Sequence, residues 1–183
     1  MRSLGLSFVK VLEWNFDSRV IKSDGSMWGL EVPVPLDVSA DIESKGVKRF
    51  ICYFSPETSK HCALLSKPGV GKYILMNKQE FKVLNLHEGA IVHVRLCEDQ
   101  SEYGMPMPQE MKELLVQDPV ADKYFHALTP GKQRSLLYII GKPKRTQTRI
   151  EKALIVCEYL KEAEGEMDFR AMVESFKNNR FKL

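Results

Sequence analysis

Seven cations crowd residues 130–152: Lys132, Arg134, Lys142, Lys144, Arg145, Arg149 and Lys152, opposed only by Glu151. Side chains of this type, gathered by a helix–loop–helix, neutralise phosphates, so the cluster is the first candidate binding site, for an anion or a nucleic-acid backbone. The plainer reading is a solvated face, since cations near a helix C-terminus also answer its dipole. Few aromatic residues interleave with the cluster, which argues against stacking on single-stranded bases.

Nucleophilic or metal chemistry has thinner support. His93, Arg95 and Cys97 alternate along one strand face, and His61 abuts Cys62. A His/Cys pair can supply a thiolate or two metal ligands, but no third, orienting group accompanies either pair. Alternation already accounts for His93 and Arg95 as the outward side of a half-buried strand. Gly69-Val70-Gly71-Lys72 resembles the end of a phosphate-binding loop. That motif needs four residues between its glycines, a Ser or Thr after the lysine and a helix beginning there; here Tyr73 and a strand follow. The sequence thus points to no catalytic residue, no metal and no cofactor. Trp14 and Trp28 read as core or rim residues rather than as a ligand-stacking pair.

Bulk properties exclude more than they identify. The chain has 183 residues, 44% hydrophobic and 28% charged, with a net charge of +3, as in an ordinary folded protein. Both halves are nearly charge-balanced, which leaves nucleic-acid binding to a local patch rather than to the whole surface. Cys52, Cys62, Cys97 and Cys157 lie far apart, without zinc-finger spacing, and read as small buried hydrophobes in a reducing compartment. The N-terminal stretch lacks a signal peptide's apolar run, and no segment reaches the length of a membrane span. A cytoplasmic location is the expectation.

These candidates must be held by two kinds of structure. In residues 1–100 the pattern is β. Leu6–Trp14 reads as a first strand and Asn15–Ser26 as a polar stretch with a turn at Asp24-Gly25. Trp28, Leu30, Val32, Val34 and Leu36 alternate with Gly29, Glu31, Pro33, Pro35 and Asp37, and the two prolines mark an edge or a bulge. Asp41–Gly46 is a short polar link or a helical turn. Val47–Phe54 points Phe50, Cys52 and Phe54 to one side, and Ser55–Lys60 follows as a loop. His61–Leu65 and Lys72–Met76 flank a glycine hairpin. Asn77, with Glu80 three residues on, predicts a capping box for a short helix. Gly89 turns the chain into a strand with Ala90, Val92, Val94 and Leu96 inward. Six or seven short strands with turn signals about every ten residues predict a closed small barrel or a sandwich, of which a small, mostly antiparallel β-barrel with one short internal helix is the expectation.

Residues 101–183 read as five short amphipathic helices. Pro108, Asp118-Pro119 and Thr129-Pro130 start the first three, the third ending near Gly141. Thr146–Glu162 forms the fourth through Ile150, Ala153, Leu154, Cys157 and Leu160. Asp168 caps the last, which carries Phe169, Met172, Val173 and Phe176 inward. The fold class is therefore α+β: a barrel over 1–100 and a helical tail, 101–183, packed on it.

With both halves in view, the chain resembles the YdeI/OmpD-associated family over about residues 5–162. In the β half the resemblance rests on Ala63-Leu64, Gly69-Val70-Gly71, Tyr73-Ile74-Leu75 and Glu88-Gly89. In the tail it rests on Asp118-Pro119, Phe125, Leu128-Thr129-Pro130, Gln133-Arg134, Ile139-Ile140 and Ile150-Glu151-Lys152-Ala153. A Thr-Arg pair that usually precedes Arg-Ile is replaced by Arg145-Thr146, with Arg149-Ile150 kept. Gly141-Lys142-Pro143 stands where many relatives have Ala-Lys. The resemblance implies a bacterial protein with a small β-barrel and a helical tail, and brings no agreed reaction or ligand.

The functional expectation is a non-enzymatic binding module for a small molecule or a protein partner. Nucleic-acid binding through residues 132–152 is the alternative, and an enzyme of unknown reaction comes third.

Overall fold

The computed structural model of the chain describes residues 11–23 and 29–178, in two compact units, Met1–Gln100 and Ser101–Leu183. The first residues of the expected opening strand (6–10), the Asp24-Gly25 turn and Trp28 lie outside the described residues.

Among the described residues the first unit holds eight strands and two helices: β1 (Glu13–Arg19), β2 (Ile21–Lys22), β3 (Leu30–Pro33), α1 (Leu36–Ser44), β4 (Phe50–Ser55), β5 (Thr58–Cys62), β6 (Leu65–Lys67), β7 (Gly71–Met76), α2 (Lys78–Val83) and β8 (Ile91–Glu98). They form two antiparallel sheets, ordered β1-β8-β4-β5 and β2-β3-β7-β6. The sheets are not closed into one barrel. Proline and short strands explain the difference: β3 stops at Pro33, β2 has two residues and β6 three.

The core of this unit follows the alternation of its strands. Trp14 and Phe16 of β1, Phe50 and Cys52 of β4, and Val92, Val94 and Leu96 of β8 are buried together. Each such large apolar side chain contributes about 1.5–3 kcal/mol by leaving water. Trp14 places its ring edge-on to Phe50 at 5.9 Å and donates its indole N–H to Asp41 Oδ2 at 2.6 Å, so it is a core residue with a satisfied polar tip.

Several segments differ from expectation. Residues 15–19, read as polar, belong to β1, because Asn15, Asp17 and Arg19 face out while Phe16 and Ser18 face in. Ser18 fits inside by donating to the Pro33 carbonyl at 2.7 Å. The strand expected through Leu36 ends early. Pro35, with φ −53°, precedes a helix that begins well before the link or helical turn expected at Asp41–Gly46, and Leu36 is 80% exposed. Pro33 lies past the end of β2, so its missing N–H faces no strand partner there. Ser55–Lys60 is mostly hairpin, β5 beginning at Thr58. Asn77 caps α2 as expected: its side chain accepts from the Gln79 and Glu80 N–H groups, and Glu80 reaches back to the Asn77 N–H at 2.8 Å. Gly89 takes φ +86° while its N–H bonds to the Val20 carbonyl, a left-handed turn that favours glycine.

The second unit comprises α3 (Gln109–Gln117), α4 (Pro119–Ala127), α5 (Pro130–Gly141), α6 (Thr146–Glu162) and α7 (Phe169–Lys177). Asp118 accepts the Val120 and Ala121 N–H groups and Asp168 those of Arg170 and Ala171, which fixes where α4 and α7 begin. The other helices pack against α6, and Phe125, Leu136, Ile140, Val156 and Leu160 sit at the centre of the core. On α6 the buried stripe is shifted: Ile155 and Val156 are buried, while Ile150 and Leu154 are half-buried. On α7, Met172 is buried but Phe169 and Val173 are exposed, because this last helix packs chiefly on α6 and covers a narrow stripe.

Candidate binding groove

The helical unit carries a groove of about 440 Å³ where the start of α3, the last turn of α5 and the first turn of α6 meet. Pro108 precedes α3 and cannot extend the helix backward, so Met105, Pro106 and Pro108 form one wall as an extended segment. Opposite them, α5 presents Leu137, Tyr138 and Gly141. Gly141 lets the walls approach: a Cβ there would lie 3.3 Å from Pro108 Cγ. Leu137 is buried at the base, whereas Tyr138 is 51% exposed.

One ion pair organises this end of the unit. Arg149, in the first turn of α6, donates from Nε to Glu110 Oε1 at 2.8 Å, and its Nη2 lies 2.7 Å from the same oxygen. Its Nη1 donates to the Pro143 and Lys144 carbonyls at 3.1 and 3.0 Å, and Nη2 to Thr146 Oγ1 at 3.0 Å. The fork of donors that makes guanidinium suited to such bracing is thus used on α3, the α5–α6 loop and α6 together. The Arg149 hydrogen bond holds the Glu110 carboxyl below its usual range, and Glu110 raises Arg149 in return. A carboxylate held in this way is a poor general base at neutral pH.

The seven cations are spread along α5, the α5–α6 loop and the start of α6. Lys132 and Arg134 lie at the start of α5, roughly 12–15 Å along the helix from Lys142. Arg134 reaches the Tyr103 carbonyl at 3.5 Å. Lys152 donates to the Ile139 carbonyl at 3.2 Å and sits 5.4 Å from the Phe176 ring centre. Burial lowers its pKa, and the charge of Lys142 adds to the effect. Arg149 is the brace just described. That leaves Lys142, Lys144 and Arg145 exposed around the α5–α6 loop, with Lys142 Nζ 5.6 Å from the Tyr138 ring centre.

The histidine and cysteine candidates separate as well. His93 Nδ1 is 2.8 Å from Asp17 Oδ1, and the Arg95 guanidinium stacks 4.2 Å from the Tyr53 ring centre, both on the outward face of β8. Cys97 donates instead to Glu13 at 3.5 Å. Neighbours on a strand point to opposite faces. His61 accordingly meets Asp99 at 2.7 Å, while Cys62 faces Cys52 of the adjacent strand. The Cys52 thiol is pushed up by Cys62 and by burial, and Cys62 is lowered by Cys52, so Cys62 ionises first. Burial pushes Cys157 up to about 12. Among the described residues, no group of three or more His, Cys, Asp or Glu side chains is arranged to hold a metal ion.

Glu110, Tyr138 and the Met105–Pro108 wall were not anticipated. Tyr138 had a local signal, an aromatic residue on the polar side of a helix whose inward positions are Leu136, Leu137 and Ile140. Glu110 had none, its partner being 39 residues away.

A compact all-helical unit with a groove at one end, following a two-sheet β unit, is the class of protein the fold defines. Residues 105–163 match the family model described as "Bacteriocin-protection, YdeI or OmpD-Associated", so this segment is similar to that family, in keeping with the resemblance drawn from its motifs. Every residue lining the groove falls within the matched segment. The match does not extend to the β unit, and no curated protein matches the chain.

Proposed function

We propose that the protein is a non-enzymatic binding module whose helical unit holds a small molecule in the groove beside Tyr138. The carrying observation is an apolar lining whose acidic side chain is already consumed by an arginine: Glu110 and Arg149 hold each other and the helix ends rather than a reacting group. A volume of about 440 Å³ lies within the range typical of small-ligand sites. For the β unit we infer a barrel-like course, supported by the chain running from β1 through Val20 into β2 and so from one sheet to the other. We set the protein in the bacterial cytoplasm; its four free thiols suit a reducing compartment.

The test is thermal unfolding of the full chain across a broad metabolite panel, with Gln109→Trp as a groove-filling control on an exposed lining residue. A compound class that raises the wild-type Tm and loses its effect in the variant supports the reading. A flat response across the panel, with no partner recovered in a pull-down, overturns it.

Lys142, Lys144 and Arg145 favour a second reading, nucleic-acid binding, because they are exposed and adjacent. Titration of duplex and single-stranded DNA at several salt concentrations tests it. Binding absent at low salt, or unchanged by Lys144→Ala with Arg145→Ala, rejects it.

A further inference from the structure

The charged residues lining the groove are Glu110, Arg149 and Lys142. Glu110 and Arg149 cancel, so the lining keeps one uncompensated positive charge, at Lys142. Among the described residues Lys142 has no carboxylate partner, and its ammonium lies 5.6 Å from the centre of the Tyr138 ring, one helical turn earlier. Lys144 and Arg145 add to the positive potential at that rim. Away from the rim the groove is a narrow slot: Pro108 closes on Gly141, Leu137 forms the base, and the Tyr138 ring and Met105 thioether offer surfaces suited to a flat apolar group.

We infer that the groove is a site for a small aromatic monocarboxylate, its ring lying in the slot between Tyr138 and Pro108 and its carboxylate meeting Lys142. The inference rests on the groove reading above and adds to it the ligand's charge and shape. A neutral amide analogue keeps the apolar contact and can still accept from Lys142, but loses the ion pair. A cationic analogue meets Lys142 as a like charge.

The experiment is calorimetric titration of the full chain with 2-naphthoate, 2-naphthamide and 2-naphthylmethylammonium. The carboxylate is expected to bind about tenfold more tightly than the amide, with the ammonium weakest. Lys142→Gln, at an exposed position, is expected to erase the preference for the carboxylate, weakening the carboxylate about tenfold and the amide much less. Gln109→Trp is expected to weaken both. Circular dichroism of each variant confirms that it is folded. Equal binding of amide and carboxylate overturns the inference while leaving the groove reading intact. A carboxylate preference that survives Lys142→Gln overturns it too, because the charge then acts elsewhere. No binding by any of the three overturns the inference, and the separate metabolite panel then decides whether the groove reading falls with it.

Discussion

Arg149 and Glu110 are 39 residues apart in sequence, yet Nε of one donates to Oε1 of the other at 2.8 Å, joining the first turn of α6 to the first turn of α3. The same guanidinium takes the Pro143 and Lys144 carbonyls. Lysine has a single compact head group and cannot span that set. Arg149→Lys is therefore expected to lower the Tm of the helical unit by on the order of 5 °C. Amide hydrogen exchange should quicken in the α5–α6 loop first. An unchanged Tm with unchanged exchange would show that the brace is ornamental.

Acid sensitivity follows from two carboxylates of the helical unit. Arg149 lowers the Glu110 pKa from 4.5, and Lys161, helped by the Ala121 N–H, lowers that of Asp118 from 3.8. For a depressed carboxyl the unfolded chain binds protons more readily, so the stabilisation is present above the unfolded pKa and is lost as pH falls through the folded one. Stability should thus decline below about pH 4.5. Glu110→Gln with Asp118→Asn should start less stable at pH 7 and show a flatter decline between pH 5 and 3. Asn keeps the helix cap, so the charge is what changes. Parallel pH curves for the two proteins, from urea unfolding, would refute the assignment.

Local rules were legible; pairings across the chain were not. The Asn77–Glu80 box, the Asp118-Pro119 helix start and the inward run Val92, Val94, Leu96 each depend on residues within a few positions, and each stands where the sequence pointed. The course of β1 was missed because its inward set includes Ser18, whose polarity is masked only by the distant Pro33 carbonyl. The start of helix α1 was read as strand because Val34 and Leu36 continue an alternation that Pro35 interrupts; only its end was allowed as a helical turn. The groove escaped for the same reason as the Arg149 brace. Its walls come from both sides of α4, and one face of Tyr138 alone does not reveal a cavity.

Glu31 sharpens that point. Placed on the outward face by alternation, it is 2% exposed, accepting from Ser23 Oγ at 2.7 Å and facing Lys67 Nζ at 2.7 Å. Lys67 reaches it across Tyr73, whose ring centre is 5.6 Å from the ammonium. Removing one member of a buried pair strands the other, at a cost of about 3–5 kcal/mol, whereas replacing both is far milder. Lys67→Met should lower urea stability by that order, and Glu31→Gln with Lys67→Met should recover most of the loss. If Lys67→Met alone is neutral, the ammonium is not what keeps Glu31 inside.

Gly141 offers the finest control over the groove. Its φ is ordinary, so the size of a side chain there is limited by space rather than by backbone conformation. A Cβ would sit 3.3 Å from Pro108 Cγ, a contact that a few tenths of an ångström of ring movement relieves. Alanine also suits a helix better than glycine by roughly 0.5–1 kcal/mol, so Gly141→Ala should leave the Tm nearly unchanged as the two effects offset. Valine adds methyl groups that the Pro108 ring cannot clear by so small a shift, and overpacking of this kind costs about 1–3 kcal/mol. The wedge would press on the start of α3, where the Lys112 N–H donates to the Pro108 carbonyl at 3.0 Å. Gly141→Val is therefore expected to lower the Tm, speed exchange of the Lys112 amide and weaken every groove ligand, whatever its charge. Equal Tm and equal Lys112 exchange for the alanine and valine variants would mean that Pro108 and α5 are not in contact, and the slot would lose its closed end.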